Sequence, residues 1–408
     1  MKNDVITLGC VDAEVSEAQC SAYLEKLSAL TRRPLTQIQA GSDRVQIQRL
    51  PAPAAGTMRV KEVQQALKDL GFFPGGQVDG ICGYRTQSAL RLFQEYVRSV
   101  EHLDCVPDGQ FGPRSQEHLR RWLRDGLRPH WDPVVAAWKA GTAAGEFASW
   151  LAWLNEVKAK YESEPIRVLK LVNDFDRPSD TRKVKDWDFS AQAGIHLIGV
   201  RREEMSGKFD DLFVLLIKGL VYKFQGTTDP GATKNPAGMP FLVPGQHNYH
   251  FGWHQSTYLA LKPEGRGVLV VRAGTDGKLT PDDLDRGLEV NDTINIHWGG
   301  RGLLGQVNSW SEGCQVVTGS VYIDPDNQLI SCRSFAAVTP SEARDPASKK
   351  TRGAYNVLLD LVTALGGDLG DGRVKYTLVE AADLALLPEN LRQELARVGK
   401  EVVALAGG

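Results

Sequence analysis

The chain has no apolar stretch long enough to span a bilayer. Its most hydrophobic run, Leu212 to Ile217, is stopped by Lys218 and Gly219, far short of the ~20 residues a membrane helix needs. Its opening, Met1-Lys2-Asn3-Asp4, lacks a basic stretch followed by an apolar one. No ordinary secretory signal is read there, and synthesis as a soluble cytoplasmic protein is expected. Action outside the cytoplasm would then need another way out, such as a phage lysis route or a contact-dependent secretion system. An excess of positive charge is also missing. Lys and Arg total 48 against 50 Asp and Glu, a net charge of -2, which provides no broad field for a polyanion. No P-loop, dinucleotide fingerprint or basic–aromatic pattern occurs, so no nucleic-acid partner is expected. The cysteines (Cys10, Cys20, Cys82, Cys105, Cys314 and Cys332) include no Cys-x-x-Cys pair, and no His-Glu-x-x-His is present. Zinc sites of those spacings are thereby excluded. A chain this long needs no disulfide staple, so reduced, mostly buried thiols are expected, and no cofactor.

What is present is an ordinary globular composition. With 408 residues, 42% hydrophobic and 24% charged, the chain predicts two or three domains at roughly 150 residues each. In residues 1–57, Ser16-Glu17-Ala18-Gln19 has the capping-box pattern ahead of Tyr23, Leu24, Leu27 and Leu30, which predicts one amphipathic helix. Pro51-Ala52-Pro53-Ala54-Ala55-Gly56 reads as a linker. Residues 58–127 hold an internal repeat: Asp79-Gly80-Ile81-Cys82-Gly83-Tyr84-Arg85-Thr86 recurs as Asp108-Gly109-Gln110-Phe111-Gly112-Pro113-Arg114-Ser115. Each unit predicts an Asp-Gly turn, a close backbone approach at the second glycine, and a helix with Thr86 or Ser115 near its start.

The pattern Val63-x-x-x-Leu67-x-x-Leu70-Gly71, then Val78-Asp79-Gly80-x-x-Gly83-x-x-Thr86-x-x-Ala89-Leu90-x-x-Phe93-Gln94, resembles the peptidoglycan-binding-domain-1 family. The resemblance implies a three-helix wall-binding module, with Asp79, Gly80, Gly83 and Thr86 as its motif positions and peptidoglycan as partner. The plainer reading of the same pattern is a scaffold or protein-docking unit.

Residues 128–190 read as a helical connector. Its stripe of Trp131, Trp138, Trp150 and Trp153 is expected to be packing rather than ligand stacking. From about 191 the period changes to that of strands, at Ile195–Val200, Leu212–Ile217, Leu220–Phe224, Tyr258–Leu261, Val268–Arg272, Thr293–His297 and Val374–Val379. Lys218-Gly219 fits a hairpin turn, and helices are expected near Ala354–Leu365 and Pro388–Ala404. The fold class expected is therefore α+β and multidomain: a small helical module joined to a mostly β domain at 191–383, with a C-terminal helix from 384.

The sharpest chemistry lies in Ile294-Asn295-Ile296-His297, the loop Gly299-Gly300-Arg301-Gly302, and Ser311-Glu312-Gly313-Cys314. A histidine at a strand end and a cysteine one glycine-rich loop later can be brought together as base and nucleophile. Backbone N–H groups at Gly313 and Cys314 could serve an oxyanion. Trp298 and Trp310 flank the motif and could wall a pocket, or simply close the core. Arg301 could hold a substrate carboxylate, or lie on the surface. The cluster His247-Asn248-Tyr249-His250-Phe251-Gly252-Trp253-His254 offers a second, zinc-dependent reading through His247, His250 and His254. In the alternative reading, His254 lines the same cleft as His297.

His297 and Ser311-x-Gly313-Cys314 together resemble the motif of the L,D-transpeptidase (YkuD-like) family, and Thr228-Asp229-Pro230-Gly231 is similar to a turn found early in that fold. The resemblance implies an all-β core in which Cys314 is nucleophile and His297 base, with Ser311 and Gly313 shaping the loop. It also implies acyl transfer on peptidoglycan stem peptides, released by an amine or by water. Glu312 stands where the family usually has histidine, which marks a divergent branch. A non-enzymatic wall-binding protein with a degenerate fold is the alternative.

Overall fold

The computed structural model describes residues 5–38, 45–192, 194–202, 207–231, 238–255, 257–274, 279–345, 348–369 and 372–407. The opening Met1–Asp4, on which the missing signal was read, lies outside them. Among the described residues no helix is long and apolar enough to cross a membrane.

The N-terminal third contains strands β1 (Cys10–Val11) and β2 (Gln48–Arg49) and helices α1 (Glu17–Thr31), α2 (Leu35–Ile38), α3 (Val60–Asp69), α4 (Tyr84–Ser99) and α5 (Pro113–Asp125). The capping box forms as expected: Gln19 N donates to the Ser16 side chain, and the Gln19 side chain accepts from the Ser16 backbone. The sequence repeat has a structural cause. Gln64 is buried, accepts from Asp79 N and Gly80 N, and donates to Asp79, Ile81 O and Thr86 Oγ1. Gln94 repeats this around the second turn, accepting from Gly109 N and donating to Asp108, Gln110 O and Ser115 Oγ. Each amide satisfies the buried backbone of one Asp-Gly turn, where glycine accommodates φ of +79° and +74°.

The Pro51–Gly56 stretch is not a domain boundary. Residues 6–12 cross both repeat turns, Ile6 bridging to Phe111 and Val11 to Ile81. The Asp12 carboxylate accepts from Val60 N and Lys61 N, capping α3 from far away in sequence. Segment and module are therefore one unit, because the segment supplies hydrogen bonds that the module's own sequence lacks.

Helices α6 (Asp132–Lys139), α7 (Gly145–Ser163) and α8 (Arg167–Asp174) follow. They do not merely connect. Trp138, Trp150, Trp153, Leu154 and Val157 pack with Ile198, Val200, Val214, Leu216 and Val221 in one core, so these helices cover a face of the β domain. The tryptophan stripe is packing, with Trp150 and Trp153 edge to face at 5.2 Å.

The β domain comprises β3 (Ile195–Arg201), β4 (Asp211–Ile217), β5 (Leu220–Thr227), β6 (Met239–Leu242), β7 (Gly245–His254), β8 (Tyr258–Pro263), β9 (Val268–Ala273), β10 (Glu289–Asn291), β11 (Ile296–Trp298), β12 (Gln315–Ile323), β13 (Leu329–Ser331) and β14 (Val374–Glu380). The main sheet runs β11-β8-β7-β14-β3-β4-β5-β12-β13, and β11 also pairs with β12, so the sheet closes into a barrel. Strands β6, β9 and β10 form a separate small sheet. Lys218 and Gly219 both have positive φ (50° and 85°), the turn that matches the twist of the β4–β5 hairpin. Helices α9 (Pro340–Arg344), α10 (Ala354–Asp360, continued by one wider turn to Leu365) and α11 (Glu389–Gly407) complete the chain.

Helix α4 is the part of the module that docks on the barrel side. The Arg91 guanidinium grips the buried Asp360 carboxylate of α10 at 2.9 and 2.5 Å, and Tyr322 of β12 donates to Glu95 at 2.6 Å. One apolar core runs from Val63, Leu67 and Phe93 of the module to Leu358, Val362 and Phe224 of the barrel side. The mixed α+β class is as expected, but the module is docked and not tethered.

Candidate active site

Parallel pairing of β11 with β12 builds the site. Ile296 pairs with Gln315, His297 with Val316 and Trp298 with Val317, while Gln315 N donates to Asn295 O at 2.8 Å. Strand alternation then places Asn295, His297 and Cys314 on one face, with His297 and Cys314 as diagonal neighbours. The strand begins at Ile296, later than its apolar pattern predicts. Asn291 Oδ1 accepts from both Thr293 N and Thr293 Oγ1, and this local turn holds the preceding residues out of the ladder.

The cysteine loop is fixed from several sides. Ser311 Oγ donates to Cys314 O at 2.8 Å and accepts from Gly313 N at 3.1 Å, and Ser311 O accepts from Gly231 N. The Gly313 N–H is therefore already engaged, which removes it as the expected oxyanion donor. Gly313 has φ of +128°, and a Cβ there would stand 2.6 Å from Pro240 O, so only glycine fits. Glu312 between them is exposed. The similar turn read at Thr228–Gly231 sits behind this loop. Thr228 N and Oγ1 donate to the buried Asp211 carboxylate, Thr228 O accepts from Arg201, and Gln315 donates to the same carbonyl.

Cys314 Sγ accepts from Asn295 N and donates to Thr293 O, both at 3.4 Å. It makes no hydrogen bond to His297. Burial pushes its thiol up to about 11, with a small opposing pull from the Asn295 N–H and from Lys262. His297 is buried. Its Nδ1–H donates to Trp298 O at 2.8 Å, and burial lowers the imidazole to about 4. That hydrogen bond fixes the tautomer with Nε2 unprotonated, the form a base requires. Thiol and imidazole are both neutral at rest.

His254 lies where the cleft reading put it. Its ring stacks on His297 with centroids 3.9 Å apart, and Asn295 Nδ2 meets its Nδ1 at 3.2 Å. The zinc reading fails on geometry. In β7 side chains alternate, so His247 points away from His250 and His254. Both His247 ring nitrogens are also engaged, by Thr181 Oγ1 and Val243 O. Among the described residues no three His, Cys, Asp or Glu side chains are grouped to hold a metal. Trp298 is buried and meets Trp310 edge to face at 5.4 Å, which makes the pair part of the wall behind the motif. Arg301 is exposed and donates to Arg333 O.

In the module, Asp79, Gly80 and Thr86 serve the Gln64 staple, and a Cβ on Gly83 would strike Tyr23 of α1 at 2.5 Å. These motif positions hold the unit together. A 320 Å³ apolar cavity lies beside them, lined by Tyr23, Leu27, Phe73, Ile81, Tyr84 and Phe251 among others, and neither Cys314 nor His297 borders it.

Residues that the sequence reading missed are Tyr258 and Asn295. Tyr258 donates to Trp298 O and approaches His297 Nδ1 at 3.4 Å. Asn295, a polar residue inside an apolar strand, was visible as an anomaly, whereas Tyr258 carried no signal.

Comparison with known proteins places residues 58–98 in a match to the family described as "Putative peptidoglycan binding domain". No curated protein matches the chain. Among solved structures, the chain is similar to a fused Zn-dependent amidase/peptidase/peptidoglycan-binding domain-containing protein from Clostridium acetobutylicum. Identity is 16% over 63% of this chain and 84% of that one, with a TM-score of 0.18. At that score the likeness carries no argument about fold or chemistry.

Proposed function

We propose that the chain acts on the bacterial cell wall, binding peptidoglycan through its N-terminal module and carrying a cysteine acyl-transfer site on the barrel. The family match at 58–98 supports the partner. The observation that carries the chemistry is the β11–β12 register, which sets Cys314 diagonal to an imidazole held in its base tautomer. In the proposed reaction Cys314 Sγ attacks a stem-peptide carbonyl carbon and its proton passes to His297 Nε2. The scissile C–N bond then breaks, and the imidazolium returns the proton to the leaving amine. An amine or water next attacks the thioester, giving transpeptidation or hydrolysis, and the thiol is restored. Of the two loop donors expected for the oxyanion, the Cys314 N–H is the one left. Action at the cell wall belongs to the same proposal.

The test incubates purified protein with sacculi and resolves muropeptides by mass spectrometry. Wild type should change the pattern and Cys314→Ala should not. Identical changes from both would end the cysteine assignment. One second reading has an observation in its favour. The thiol and imidazole share no hydrogen bond and are neutral, and α4 is buried against the barrel, as suits a wall-binding structural protein in which the module is a docking unit. Unchanged sacculi with retained sacculus binding would select it.

A further inference from the structure

Cys10 and Cys82 stand opposite each other where the N-terminal strand crosses the first repeat turn. Val11 bridges antiparallel to Ile81, Cys82 N donates to Cys10 O at 2.8 Å, and Gly9 N donates to Cys82 O at 2.9 Å. Gly9 has φ of +93°. This is a bulge whose first residue is a left-handed glycine, and it leaves Cys10 and Cys82 as the facing pair. The packing confirms which way they point. Cys10 and Cys82 both enter the main apolar core, whereas Val11 and Ile81 both enter the small cluster on the opposite side. Facing residues on antiparallel neighbours have Cα atoms about 4.5–5.5 Å apart, inside the roughly 4.4–6.8 Å that a disulfide bridges. Both are free, buried thiols in the structure, with Cys10 Sγ accepting from Thr7 N at 3.4 Å, and after burial itself the Cys10 sulfur is the leading influence raising the Cys82 thiol. Cys20 lies in the other cluster, and Cys314 is at the barrel site.

We infer that Cys10 and Cys82 form a structural disulfide when the chain folds in an oxidising compartment. The two S–H bonds are lost and one S–S bond forms. Two electrons and two protons pass to a disulfide oxidant, such as glutathione disulfide or a protein disulfide, which is reduced to thiols. Because both sulfurs are buried in the folded chain, the bond forms during folding. It joins the strand that clamps both repeat turns, and that carries the Asp12 cap of α3, to the first turn, closing the loop between residues 10 and 82. Such a cross-link acts mainly by restricting the unfolded chain. The inference does not depend on the proposed catalysis.

The experiment refolds the full chain in a glutathione redox buffer, blocks remaining thiols with N-ethylmaleimide, and maps non-reduced peptides by mass spectrometry. A 10–82 linkage is expected, with the other four cysteines alkylated. It should persist in Cys20→Ser, which separates Cys10 from the cysteine sharing its tryptic peptide. The oxidised wild type should also melt several degrees above the same protein in dithiothreitol, and Cys10→Ser should abolish that difference. Should the Cys10→Ser chain fail to fold, the wild-type map decides alone. Six alkylated cysteines in refolded protein, linkage of Cys82 to any other cysteine, or equal melting of the oxidised and reduced wild type would overturn the inference.

Discussion

Alkylation of Cys314 reads the resting state of the proposed site directly. Burial holds the thiol at about 11, against about 8.5 for an ordinary cysteine. At pH 7.5 the thiolate fraction is then about 0.03%, compared with roughly 9% for the ordinary thiol, a deficit of about 300-fold. A more basic thiolate is intrinsically more nucleophilic, with a Brønsted slope of about 0.45, and this recovers about 10-fold. Iodoacetamide should therefore modify Cys314 roughly 20- to 30-fold more slowly than free cysteine. The rate should rise about tenfold per pH unit between 7 and 10. His297→Gln should leave this profile unchanged, since the imidazole is neutral and unbonded to sulfur at rest. The same variant should still abolish turnover on sacculi, where His297 is asked to take the proton. Mass-resolved alkylation across pH follows Cys314 separately from the other thiols. A plateau already reached near pH 7, lost in His297→Gln, would refute the neutral-pair reading and replace it with a preformed thiolate–imidazolium.

The repeat staple gives a stability prediction: Gln64→Ala strips the partner from Asp79 N and Gly80 N at once, while Ile81 O keeps Gly83 N. It should cost about 2–4 kcal/mol in urea unfolding, and a loss under 1 kcal/mol would show that water replaces the amide. Gly313→Ala forces a Cβ against Pro240 O at a positive φ. A loss of about 1–3 kcal/mol is expected from backbone strain, and unaltered stability together with unaltered Cys314 alkylation would contradict the fixed loop. Burial lowers His196 and His297 to about 4 and His247 to about 3. The folded chain therefore resists protonation at these positions while the unfolded chain accepts it from about pH 6.5 downward. Stability is full above that pH and falls as acid is added, by about 1.4 kcal/mol per histidine at pH 5.5. The three together contribute about 4 kcal/mol between pH 8 and 5.5. His250 and His254, lowered to about 4 and about 3, add to this, and Asp229, raised to about 7, opposes it. The check is therefore ring-resolved NMR titration, in which any of the three rings titrating near pH 6.5 would show that it is hydrated.

Local rules written in consecutive residues were readable. The capping box at Ser16–Gln19, the Lys218-Gly219 hairpin, the Asp-Gly turns and the core role of the tryptophans each depend on neighbours in sequence, and each is found. Strands buried on both faces were harder. Gln315–Ile323 is fully buried, so it shows no alternation, and it passed unread although it carries the ladder beside Cys314. The histidine run Gly245–His254 looked like a ligand cluster only until alternation along β7 separated His247 from the rest.

The sequence by itself determined the repeat, the helix starts and turns, the mixed α+β class, and the residues worth testing, because capping, turn geometry and apolar period act over a few residues. It could not determine that residues 6–12 complete the module. Nor could it show that α4 locks the module to the barrel, that His254 stacks on His297, or that burial leaves both His297 and Cys314 neutral. Those follow from side chains distant in sequence meeting in one fold, where register decides which groups meet and burial, complete at His297 and partial at Cys314, decides which of them carry charge.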